Sequence, residues 1–72
     1  MIMTFGDKIK QIRTGMGLTQ VKFAELCEIA EPTCCKMEQG RHFPRLDTMF
    51  IISKKLNMTV SELLEGVTEE WR

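Results

Sequence analysis

Residues 18–40 read LTQVKFAELCEIAEPTCCKMEQG, and this stretch decides the fold. Thr19 can cap a helix that places Phe23, Ala24 and Cys27 on one side, before the pattern breaks at Glu28 and Ile29. Proline tolerates the first helical turn and the residue ahead of it avoids the helical region, so the next helix starts around Glu31 and Pro32. It stops at Gly40, with Cys34 and Met37 facing inward. Two helices this short, joined by a break this tight, leave the second with one face turned to solvent.

The helical period continues on both sides of this pair. Thr4 and Asp7 form a capping pair ahead of Phe5, Ile9 and Ile12, and Gly15 is expected to end that helix in a left-handed cap. Pro44 is expected to open a fourth helix with Leu46, Met49, Ile52 and Leu56 inside, and Thr59 with Glu62 makes a capping box for a fifth through Leu63 and Leu64. No segment alternates at period two for long enough to suggest a strand. The fold class is therefore all-α, five short helices in one compact body over residues 1–66, followed by a short acidic tail over 67–72. At 72 residues, 43% of them hydrophobic, the chain supports one small core.

Charge is split along the chain. The formal net charge is zero, which argues against a non-specific polycation. Residues 1–60 nevertheless hold nine Lys and Arg against six Asp and Glu, and residues 61–72 hold four Glu against Arg72. No run approaches the ~20 apolar residues that span a bilayer, and no basic-then-apolar start resembles a signal peptide, so no membrane partner and a cytoplasmic location are expected. Three cysteines without CxxC spacing fit a reducing compartment. One His, no glycine-rich phosphate loop and no GxSxG leave no basis for an enzyme or a cofactor.

Leu18-Thr19-Gln20, Phe23-Ala24, Ile29, Met37-Glu38 with Gly40, Pro44 and Leu63-Leu64 occur in an order and spacing that resembles the phage lambda repressor-like helix-turn-helix family of regulators (Xre/Cro type). The likeness covers nearly the whole chain. It implies a transcriptional regulator of the bacterial cytoplasm or a phage-infected cell, a repressor by preference. Its helix three, about residues 31–39, would enter the major groove of double-stranded DNA, with the start of helix two against the backbone.

The same resemblance assigns roles residue by residue. Gln20 matches the glutamine that touches phosphate and braces the recognition helix. Lys22 opposes the macrodipole in the first turn of helix two, where a Glu would have completed a capping box, and a phosphate would offset that cost; an indifferent surface lysine is the plain alternative. Glu31, Pro32, Thr33, Cys35 and Lys36 face the groove by alignment. Lys36 can reach guanine O6 or N7, Thr33 a phosphate or a thymine methyl, and Glu31 a cytosine amino group. Arg41 and Arg45, flanking His42, suit phosphate oxygens. Arg13 and Glu38 match a structural pair tying helix one to the end of helix three.

Two positions depart from the family pattern: Glu28 and Asn57 stand where glycine is common. Cys27, Cys34, Cys35 and His42 lie within 16 residues, but neighbours on a helix point about 100° apart and Cys27 and Cys34 fall on the core side, so no metal site is expected. Cys35 is expected to be exposed. Phe50, Ile51, Val67 and Trp71 exceed what so small a core needs, which marks an interface, and the family resemblance, in which the last helix commonly mediates dimers, implies a homodimer. Glu31-Pro32 and the neutral net charge leave a second reading open, a helix-turn-helix module that binds a protein partner, as an antitoxin does.

Overall fold

A computed structural model describes residues 2–68, and the expectation for Trp71 lies outside them. Five helices follow in order, α1 (Phe5–Gly15), α2 (Gln20–Cys27), α3 (Glu31–Glu38), α4 (Leu46–Lys55) and α5 (Val60–Leu64), and the described residues contain no strand. Capping boxes open α1 and α5: Thr4 Oγ1 accepts from Asp7 N at 3.0 Å, and Thr59 Oγ1 from Glu62 N at 3.0 Å, with each acid returning the bond to the cap backbone. Thr19 caps α2 without the reciprocal acid, because Lys22 occupies that position.

The ends of the first four helices share one geometry. The residue after the αR cap, or the cap itself, turns left-handed, at Gly17, Glu28, Gly40 and Asn57. The following N–H then bonds to a carbonyl five residues back: Leu18 to Arg13, Ile29 to Ala24, Arg41 to Lys36, Met58 to Ser53. Gly15, expected to supply the left-handed cap of α1, lies within the helix instead; Met16 is its cap and Gly17 turns. Glu28 holds φ 57° without being glycine. Its carboxylate meets the Lys55 ammonium of α4, which holds the Glu28 carboxyl below its ordinary range and ties the end of α2 to the end of α4.

Phe5, Ile9, Phe23, Ala24, Cys27, Cys34, Met37, Met49, Ile52 and Leu63 form the core, with Ile12, Leu18, Ile29, Leu56 and Val67 packed around it. Leu46, expected inside, is 61% exposed. The inner stripe of α4 is Met49, Ile52, Ser53 and Leu56, and Leu46 lies about 70° off its centre, at the end of the helix. The buried residue there is Pro44, in the loop before α4. Val67, expected as surplus, packs against the core, and Thr68 pairs with Met3 in both directions at 2.8 Å, so the packed structure continues two residues past 66.

Helix α3 is fixed to α1 by close approach and by charge. A Cβ on Gly6 would stand 2.2 Å from the Met37 carbonyl oxygen and 3.0 Å from that of Glu38, so only glycine lets the two backbones meet. Two turns on, Arg13 Nε bonds Glu38 Oε2 at 2.6 Å and Nη2 bonds Oε1 at 3.1 Å, while Nη1 donates to the Leu18 carbonyl at 2.8 Å. Gln20 Nε2 adds a third donor to Glu38 at 3.1 Å. Burial raises the Glu38 carboxyl pKa, but its bonds to Arg13 and Gln20 outweigh this and hold it below its ordinary value.

Three outcomes follow for stability. Gly6→Ala forces the α1 and α3 backbones apart and costs about 2 kcal/mol, read from a thermal melt; an unchanged melting temperature would mean that α1 sits farther from α3. At position 28 the melting temperatures rank Gly above Glu above Ala, since Ala keeps the left-handed strain and loses Lys55; an Ala variant as stable as the wild type rejects the strained turn. The bridge contributes fully above the ordinary carboxyl range, about pH 4 to 5, and fades as pH falls through the lower folded value. Glu38→Gln is therefore expected to be less stable by about 3 kcal/mol at pH 7, with the gap narrowing toward pH 3. A gap independent of pH would show that charge is not what Glu38 supplies.

Candidate nucleic-acid interface

With Cys34 and Met37 buried and Glu38 locked by Arg13, the opposite face of α3 is turned to solvent. Glu31, Pro32 and Lys36 are exposed on it, and Thr33 and Cys35 are half-buried at its edges. Cys35, expected to be exposed, is screened because Gln39 lies one turn on, with Nε2 3.4 Å from its Sγ. Gln39 itself is exposed at the cap of α3, beside Lys36 and ahead of Arg41. Its i+3 and i+4 spacing from Lys36 and Cys35 marks it as part of the same face, a signal the sequence reading passed over.

The N-terminal end of α3 has no side-chain cap, because Ala30 stands at the cap position and Pro32 follows in the first turn. At the other end, Gly40 at φ 76° closes the helix and delivers the chain into a loop that carries Arg41, His42 and Arg45, all exposed. This loop is anchored from inside by buried Pro44 and by the Phe43 ring, 5.3 Å from that of Phe5 and tilted 39°. Arg45 lies 3.8 Å from Asp47, with both side chains mostly in water, so this pair holds it weakly.

Helix α2 contributes two of the expected residues in different ways. Gln20 is half-buried and has one amide hydrogen committed to Glu38, which makes it a brace between the start of α2 and the end of α3. Lys22 is exposed and reaches Glu25 Oε2 at 3.7 Å one turn on. That partner offsets the macrodipole cost in part, so Lys22 does not need a phosphate to explain it. Arg13, Gln20 and Glu38 thus form one partly buried node, while Lys22, Glu31, Pro32, Lys36, Gln39, Arg41 and Arg45 form the exposed set.

Burial pushes the Cys27 and Cys34 thiols up to about 11, which keeps both protonated and unreactive near neutral pH. Among the described residues no group of His, Cys, Asp and Glu is placed to hold a metal ion, and no helix is long and apolar enough to cross a membrane.

Three comparisons bear on this arrangement. The model of the helix-turn-helix family matches residues 9–63. The chain is 38% identical over 64 residues to the HTH-type transcriptional activator BcrR of Enterococcus faecalis, covering 89% of this chain and 31% of BcrR. It is 34% identical over 62 residues to the immunity repressor protein of Bacillus phage phi105, covering 86% of this chain and 43% of that protein. It thus spans about a third to a half of the length of the curated relatives it matches. A crystal structure of a transcriptional regulator from Listeria innocua superimposes over all of this chain and 67% of its own, with a TM-score of 0.75 at 19% identity, a likeness of fold. By the match of more than half its length, and by the Gln20, Glu38 and Gly40 geometry around α3, the chain belongs to the helix-turn-helix family, in the lambda repressor-like form that its sequence resembles.

Proposed function

We propose that this chain is the sequence-specific DNA-binding module of a transcriptional regulator, inserting α3 into the major groove of double-stranded DNA as a homodimer. The observation that supports this most is the exposed face of α3, rigidly seated by the Arg13–Glu38 node and followed at once by the basic Arg41–Arg45 loop. Lys36 is the base reader, with guanine O6 and N7 as its acceptors; Thr33 meets a phosphate or a thymine methyl; Glu31 discriminates by accepting from cytosine. Pro32 and Cys35 set the shape of the reading face. Arg41, Arg45, Lys22 and the uncommitted amide hydrogen of Gln20 hold the phosphates, and Gln39 extends the face toward the loop.

The names of the relatives include an activator and a repressor. Repression by occupancy needs only a body that holds DNA, and this module acts as such a repressor. With bacterial and phage relatives and DNA as its ligand, the module is assigned to the bacterial cytoplasm or a phage-infected cell as part of this proposal.

Selection from random duplex DNA at two salt concentrations tests the proposal. Enrichment of a palindrome with half-sites about 34 Å apart is expected. Lys36→Ala should relax one base position at a cost of about 2 kcal/mol, while Arg41→Ala should weaken all sequences alike and lower the salt slope by about 1. No enrichment even at low salt overturns the DNA reading in favour of a protein-binding module.

A further inference from the structure

Helix α4 carries two stripes at the same i, i+3, i+4, i+7 spacing. Met49, Ile52, Ser53 and Leu56 make the first and pack inward. Asp47, Phe50, Ile51 and Lys54 make the second, on the opposite side, and all four are exposed, Phe50 by 56% and Ile51 by 48%. Leu46, exposed by 61%, flanks this outer stripe at its first turn. A hollow of about 510 Å³ opens beside it, lined in part by Phe50, Lys54 and Met58. Two large apolar side chains adjacent on a solvent face call for a partner.

The order of chemistry along the stripe says which partner. It runs acid, apolar, apolar, base, and the midpoint between Asp47 and Lys54 coincides with the midpoint between Phe50 and Ile51. A second α4 laid antiparallel about a two-fold axis at that midpoint therefore brings Asp47 against Lys54 of the second copy, and Phe50 against its Ile51, each contact made twice. This is the self-complementarity that an isologous interface requires. Antiparallel helices also set their dipoles in opposition. Neither charge is held by a strong ion pair: Lys54 has none among the described residues, and Asp47, whose Oδ1 accepts from Thr48 N at 2.8 Å, has only the solvated 3.8 Å approach of Arg45 as its ion pair.

We propose that the exposed face of α4, centred on Phe50 and Ile51 with Asp47 and Lys54 at its ends, is the self-association surface of this chain, joining two copies antiparallel about a two-fold axis. The inference deepens the dimer part of the proposed function by naming its surface, and it does not depend on DNA being the ligand. None of the residues of this face belongs to α3, and α4 packs mainly on α2 and α5.

Sedimentation equilibrium of the purified chain, with and without duplex DNA, tests it, with circular dichroism confirming the helical fold of each variant. The wild type is expected to dimerise, and Phe50→Glu to sediment as a monomer. Asp47→Lys and Lys54→Asp each oppose like charges twice across the axis and should each weaken the dimer at least about tenfold. Mixed one to one, these two variants should form a heterodimer of wild-type strength, because the lysine introduced at 47 faces the aspartate introduced at 54 while Lys54 of one chain still faces Asp47 of the other. A wild type that is monomeric with and without DNA overturns both this surface and the dimer. A dimer that survives Phe50→Glu, or charge variants that do not recover on mixing, overturns the surface alone.

Discussion

The guanidinium of Arg13 and the carboxylate of Glu38 meet where α1, the start of α2 and the end of α3 converge, and the orientation of α3 depends on that meeting. Its hydrophobic side is small, only Cys34 and Met37, so apolar packing alone would seat an eight-residue helix loosely. Two short charge-assisted bonds with a fixed fork geometry add direction where the hydrophobic effect has none. The Glu38 side chain is 5% exposed, and its oxygens take donors from Arg13 and Gln20, so the buried charge is paired on both lobes. Gly6 completes the seat by bringing the backbone of α1 to the Met37 carbonyl.

A helix proposed to read DNA must keep its outer face clear of packing, and in α3 the division is clean. The inward positions are consumed by core and node, and Glu31, Pro32, Lys36 and Gln39 are left to solvent. The exposed arginines stand apart from this helix, on a loop whose own apolar residues, Phe43 and Pro44, hold it against the body. In the DNA complex proposed above, base reading and backbone grip would thus rest on different elements, joined through Gly40.

What the chain reveals in its sequence is local. The capping boxes of Thr4 with Asp7 and Thr59 with Glu62, the break at Glu28 and the stop at Gly40 are all set within four residues, and each stands where the pattern puts it. The pairing of Arg13 with Glu38, 25 residues apart, was legible only through family resemblance. Leu46, an apolar residue three before Met49, lies close enough to the inner stripe on a helical wheel to suggest burial, but a wheel carries no information on where the core ends. Gly15 and Gly17 are indistinguishable by composition, and the left-handed turn falls one residue past the cap. Nothing around Gly6 marks it, since the carbonyl it admits belongs to a residue 31 positions on.

The mutual hydrogen bonds of Met3 and Thr68 place the two ends of the described chain side by side. Topologically the body is a closed ring with one seam, at the α1 side. Bridging that seam with a few residues and opening the chain elsewhere would scarcely alter the entropy of closing it. Two segments fused to the two ends would leave the same patch of surface together, and the body would serve as an insert in a larger chain without separating what it interrupts.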